Sequence, residues 1–242
     1  VGKAISQNSV QEHLEKGDRF FEKLNNERAL TEYQKAYDAA PTHFEPLLRM
    51  SRLYNDLGRL ALQTSDLSES YYRKAIGFAE QLHRYHPDRA ESYFMLALCH
   101  GSLVPFKTLR EKLELGRDVE HNARKALTID STFSMAYVVL GIFYRSVSRL
   151  GWMEKLIANT IFGKNLYGTL EDSESMLKKA LHFDPANSFA YFELASTYRA
   201  MGREEAAVEA LRKVLALEPK SLREHQQLEV ARRRLDQILA KK

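Results

Sequence analysis

The stretch SFAYFELASTYRAMGREEAAVEALRKVLALEPKS, Ser188 to Ser221, is 34 residues long and reads as two helical segments with Gly202 between them. Tyr191, Leu194, Ala195 and Tyr198 recur at helical spacing in the first, and Ala207, Leu211 and Val214 in the second, before Pro219 closes the unit. Val10 to His43 has the same length and the same register, with Gly17, Phe20, Ala29, Tyr33, Ala36 and Pro41 in place. The small residues let two helix backbones approach closely, and the aromatics fill the space between successive hairpins. Each proline is expected to open the next helix, where a missing N–H costs nothing.

Counting back from Pro87, from Ser131 (standing where a further proline is expected) and from Pro185 recovers three more segments, 44–89, 90–133 and 134–187. They exceed 34 residues by 12, 10 and 20, and the extra residues fall between the two helices of each segment. Residues 222–242 read as a last amphipathic helix with Leu228, Ala231, Leu235 and Leu239 on one face. This register is the signature of tetratricopeptide (TPR) repeats. It implies an all-α fold, a right-handed superhelical solenoid of about five helical hairpins plus a C-terminal capping helix. The expected organisation is an extension over 1–9 and a single domain over 10–242, with repeats 10–43, 44–89, 90–133, 134–187 and 188–221 and the cap 222–242. The extra residues of the second and third repeats are expected to lengthen their helices, Asp66 and Ser68 capping one that runs to His86.

Composition narrows the function classes. The net charge of +4 is small, and 222–242 carries most of it through Arg223, Arg232, Arg233, Arg234, Lys241 and Lys242. Cations near a helix C-terminus complement its dipole, so a solvated cap is read there and no nucleic-acid partner is expected. Cys99 is the one cysteine, so no internal disulfide forms, and its place on an apolar helix reads as packing. No run of 18 apolar residues exists, so no membrane span is expected and the chain reads as soluble. It opens on Val1 rather than Met, which reads as a processed or trimmed form whose signal or anchor has been removed.

No catalytic constellation is present: no G-x-S-x-G, no H-E-x-x-H and no phosphate-binding glycine loop. His83 and His86 lie one turn apart, but a metal needs three or four ligands in fixed geometry. Neither enzyme activity nor a metal or other cofactor is expected.

In a TPR stack the concave face is lined by four positions on the first helix of each repeat. From the third repeat on these become strongly apolar: Phe94 and Leu98, then Met135, Val138, Ile142 and Arg145, then Phe189, Phe192 and Arg199. A patch of that size points to a ligand. The leading reading is a partner protein's segment, an amphipathic helix or an extended peptide. The second is an acyl chain with its anionic head at the arginines. A third arrangement has the groove filled by the protein's own inserted or C-terminal helix.

The longest insertion is the most specific stretch. Leu140-Gly141-Ile142-Phe143-Tyr144, Gly151-Trp152-Met153-Glu154-Lys155, Ile157-Ala158, Ile161-Phe162-Gly163 and Ala180-Leu181 through Asp184-Pro185 resemble the TPR domain of the regulator of microtubule dynamics family. Leu109 to Leu113, with Val119, His121, Ala123, Lys125 and Ala126, is similar to that family's second repeat. The resemblance runs from Phe44 to Pro219, and the hairpin over Val10 to Pro41 stands outside it. It implies a tethering role, with lipid binding or transfer in one member, and supplies no catalytic residues. Trp152, Leu156, Ile157, Thr160 and Ile161 share one helical face. That face is expected to pack against the hairpin edge and narrow the groove beside Ile142; the alternative is that Trp152 fills a place in the core.

Overall fold

The structure, a computed structural model, describes residues 7–61, 65–162 and 167–240. The side chains of Ile161 and Phe162, and Gly163, lie outside the described part, as does most of the 1–9 extension. Among the described residues there are twelve α-helices and no strand. The chain divides into two compact units, Val1–Phe106 and Lys107–Lys242, the boundary falling inside the third repeat.

In the first unit α1 (Gln7–Glu22) pairs with α2 (Asn26–Ala39), and α3 (Phe44–Leu60) with α4 (Ser65–Tyr85). There α5 (Ala90–Leu103) packs on α3 and α4 and runs into a short 3₁₀ turn, Val104–Phe106. In the second unit α6 (Leu109–Ile129) packs on α7 (Ser134–Ser148). Two hairpins follow, α7 with α9 (Leu170–Phe183) and α10 (Ser188–Ala200) with α11 (Glu204–Ala216). The helix α8 (Trp152–Phe162) rests on α6, and α12 (Leu222–Leu239) closes the unit against α11 and α10.

Helices α3, α5, α7, α10 and α12 start at Phe44, Ala90, Ser134, Ser188 and Leu222. The prolines, however, do not open those helices. Pro41, Pro87 and Pro185 sit two residues beyond the end of one helix and three before the start of the next. A proline disfavours helical geometry in the residue before it, so it stops the outgoing helix instead. The turns then close alike, with the amides of His43, Arg89, Phe133 and Asn187 donating to the carbonyls of Ala40, His86, Asp130 and Asp184. Ser131 fits this turn because the Asp130 carboxylate accepts from the Thr132 amide at 2.9 Å and braces it without a proline.

The small positions are contact points. A Cβ on Gly17 would lie 2.3 Å from the Tyr33 ring, and one on Gly141 2.6 Å from Leu177 Cγ, so only glycine permits those crossings. Where serine replaces glycine or alanine, its hydroxyl is satisfied across the crossing: Ser51 donates to the Ala75 carbonyl at 2.9 Å and Ser173 to that of Gly141 at 2.7 Å. Of the extra residues, those of the second repeat extend both helices, α3 and α4 reaching 17 and 21 residues. Those of the third lengthen α6 alone to 21, while α5 stays at 14 and the 3₁₀ turn takes up the rest. Asp66 lies in the first turn of α4, and Ser68 is buried there, donating to the Gly58 carbonyl at 2.6 Å.

The α8 expectation is overturned on both of its readings. Trp152 is 75% exposed, Met153 and Leu156 57% each, and only Ala158 of this helix is fully buried among the described side chains. Glu154 turns back to accept from the Gly151 amide at 2.8 Å, and the inward arc is Glu154, Ile157 and Ala158, with Trp152 and Leu156 turned outward. Trp152→Ala should therefore change stability by less than about 0.5 kcal/mol. The sole tryptophan should also be freely quenched by acrylamide. A large fall in melting temperature, or a shielded indole, would contradict this placement.

Candidate functional site

The nine residues expected to line the apolar groove divide between the units. Phe94 and Leu98 are half-buried on α5 and pack on the first unit's core beside Phe44, Leu47 and Leu82. Nearby, Cys99 is fully buried, and burial pushes its thiol up to about 12, leaving it unreactive. Asp18, on α1, accepts from Arg49 at 2.8 and 2.9 Å and from the Tyr33 hydroxyl at 2.7 Å. Burial opposes its ionisation, but these bonds prevail and hold the carboxyl below its ordinary value. A lowered folded-state pKa stabilises fully above the unfolded value, about 3.9, and that contribution is lost as pH falls through the folded one. Melting curves taken from neutral pH to pH ~3 should fall more steeply for the native chain than for Asp18→Asn. Equal slopes would remove Asp18 as a contributor.

The second unit holds the other seven. Val138 is 2% exposed and belongs to the core with Leu177, Leu194 and Leu211. Met135, Ile142, Phe189 and Phe192 are half-buried, pack on that core, and stand on neighbouring helices α7 and α10. Arg145 is occupied: its guanidinium pairs with the Glu193 carboxylate and donates to the Glu193 carbonyl at 2.9 Å and to Thr197 Oγ1 at 3.1 Å. Only 11% of its side chain is exposed. Arg199 is exposed, and among the described residues it has no ion-pair partner.

Two further residues of this face come from α12, the C-terminal helix, which thus covers part of the face itself with Arg223 and Arg234. Arg223 lies 4.3 Å over the Phe189 ring and Arg234 4.5 Å over that of Phe192. Arg234 also donates to Ser196 Oγ at 2.9 Å. Its pKa is pushed below the ordinary arginine value, first by burial, with Glu193 opposing and the positive charges of Arg199 and Arg145 adding to the fall. Helix α12 reaches this position because its buried stripe is Gln227, Ala231, Leu235 and Ile238, one step round from the expected Leu228, Ala231, Leu235 and Leu239. Leu239 is exposed, and Gln227 is buried because its amide donates to the Ser188 carbonyl at 2.8 Å. A periodic stripe with a glutamine in it cannot be found from hydropathy alone. C-terminal arginines spaced eleven apart on one helix face were the available signal.

Clefts also open in the second unit. One of about 570 Å³ at the α10–α11 turn has Arg199 on its wall with Arg203, Glu204 and Glu205. Another, of about 640 Å³, runs along α9 over the stacked Tyr137 and Phe183 rings. The paired histidines each have packing roles: His83 meets the Tyr93 ring edge-on and His86 Nε2 lies 2.8 Å from the Thr42 carbonyl. Among the described residues no three His, Cys, Asp or Glu side chains are grouped to hold a metal, and no helix is long and apolar enough to cross a membrane.

The fold is that of a thermophilic TPR protein from Thermus thermophilus, with a TM-score of 0.67 at 18% identity over 92% of this chain and 98% of that one. Regulator of microtubule dynamics protein 3 from Bos taurus is 26% identical over 172 residues, 71% of this chain and 36% of the relative. Regulator of microtubule dynamics protein 1 from Bos taurus is 21% identical over 179 residues, 73% of this chain and 55% of the relative. The chain thus spans about a third to a half of the length of these relatives. The family model for regulator of microtubule dynamics protein 1-3 matches residues 13–240, taking in the front hairpin and the C-terminal helix that the resemblance in sequence had left out. With nearly its whole length matched, the chain belongs to the regulator of microtubule dynamics protein 1-3 family.

Proposed function

We propose that this chain is a non-enzymatic interaction module that docks a segment of a partner protein on the face made by α7, α10 and α12. The observation that carries the reading is the row of half-buried Met135, Ile142, Phe189 and Phe192 on adjacent helices, bordered by Arg199 and Arg234. Apolar side chains half open to water on a TPR framework fit the anchors of an amphipathic helix or extended peptide. Phe94 and Leu98, likewise half-buried, belong to the first unit and are not part of this face.

Peptide display against the purified chain tests this. Enriched peptides should bind in solution, and Ile142→Glu should weaken them about tenfold or more while the chain still melts cooperatively, because a charge is placed among the anchors. If no peptide is enriched, or if Ile142→Glu binds as the native chain does, the reading fails. Mass spectrometry of the purified chain discriminates the lipid reading: a stoichiometric co-purified acyl lipid, displaced by no peptide, would replace the protein partner with a lipid one.

A further inference from the structure

We infer that Arg199 and Arg234 together form the anion-reading end of this face, so that the docked segment carries an acidic side chain or a terminal carboxylate next to its apolar anchor. The inference rests on the docking face proposed above and names the chemistry it selects. Four observations converge. Phe192, Ser196 and Arg199 lie at i, i+4 and i+7 on α10 and so share one side of the helix. Arg234 crosses from α12 onto that same side, stacked on Phe192 and held by Ser196 Oγ at 2.9 Å. Neither arginine is paired with a carboxylate among the described residues, and Glu193, the acid that Arg234 feels, is already engaged by Arg145. Arg199 stands exposed on the wall of the polar cleft at the α10–α11 turn, so an incoming group has access to it.

The charge balance gives the sign of the ligand. Around Arg234 the positive charges of Arg199 and Arg145 stand against one Glu193, whose carboxylate is engaged by Arg145. A guanidinium with five N–H donors makes one hydrogen bond through Arg234 and none that the described residues supply through Arg199, so donors remain for an incoming acceptor. Arg234 Cζ lies 4.5 Å from the centre of the Phe192 ring, and a guanidinium placed there by an aromatic face keeps N–H donors for side-on pairing with a carboxylate. Glu204 and Glu205 also line the cleft; they disfavour a ligand of high negative charge and suit a single carboxylate beside an apolar residue.

The peptides enriched by display supply the probe. They should share an Asp, a Glu or a free C-terminus at fixed spacing from an aromatic or large aliphatic residue. Replacing that acid by its amide should weaken binding about tenfold or more; Arg199→Gln should weaken the acidic peptide and leave the amide peptide unchanged, and Arg234→Gln should weaken the acidic peptide more than the amide one. Arg234→Lys should recover part of the loss. Arg199→Gln touches no packed group, so its result stands even if an Arg234 variant folds poorly. Peptides enriched without any acid, still sensitive to Ile142→Glu, would overturn this inference and leave the docking face intact; no enrichment at all would remove both. Sedimentation with phosphatidylcholine vesicles containing phosphatidylserine, lost in the Arg199→Gln chain, would assign the two arginines to a lipid headgroup and overturn the peptide ligand.

Discussion

Ending the chain at Ser221, which removes α12, is expected to lower the stability of the unit over 107–242 by about 4 kcal/mol and to make the chain self-associate. Leu235 and Ile238 are buried against α10 and α11 with Ala231, and burying two such side chains contributes about 2 kcal/mol each. The surface they cover, including Val208, Leu211 and Val214 on α11, loses the same protection, which outweighs the ordering entropy that deletion returns. At about 4 °C per kcal/mol for a unit of this size, the corresponding transition should fall by roughly 16 °C. The uncovered apolar strip is what a terminal repeat needs a polar-backed cap to hide. Thermal melts and size-exclusion chromatography at several concentrations measure both effects. A shortened chain that melts unchanged and runs as a monodisperse monomer would mean that α12 is an appendage.

The same helix marks where sequence stops being informative. Repeat length, joint positions and the small residues at helix crossings were legible because they are periodic, and Gly17, Ser51, Ala97, Gly141 and Ala195 all sit buried at the same place in their repeats. What was not legible was pairing between residues far apart in the chain. Arg145 and Arg199 look alike at equivalent groove positions, yet Arg145 meets Glu193, 48 residues later, and is consumed. Arg234 looked like one of several cationic tail residues, yet Phe192 and Ser196 hold it, the nearer of them 38 residues earlier in the chain. Trp152 misled for a different reason. Its size suggested a buried anchor, but the short α8 offers Ala158 and the Glu154 cap as its inward arc, and the indole is left in water.

Arg145→Ala is expected to cost about 3 kcal/mol of stability without altering which ligands the face selects. Arg145 begins a chain of donors that ties three helices together: it donates to Thr197 Oγ1 at 3.1 Å, the Thr197 hydroxyl lies 2.9 Å from that of Ser173, and Ser173 donates to the Gly141 carbonyl at 2.7 Å. Ser173 and Thr197 are fully buried and Arg145 nearly so, and a satisfied buried network becomes costly once a member is missing. Removing the guanidinium leaves the Glu193 carboxylate, only 20% exposed, without its partner. The reciprocal Glu193→Ala strands a nearly buried cation and should cost a similar amount, whereas Arg145→Met with Glu193→Leu replaces both charges by apolar groups of like volume and should recover much of the loss. Non-additivity of this kind in a double-mutant cycle identifies the pair as a structural tie. If Arg145→Ala instead melts within about 0.5 kcal/mol of the native chain and loses acidic peptides as Arg199→Gln does, then Arg145 belongs to the anion-reading end and the Glu193 contact yields to the ligand.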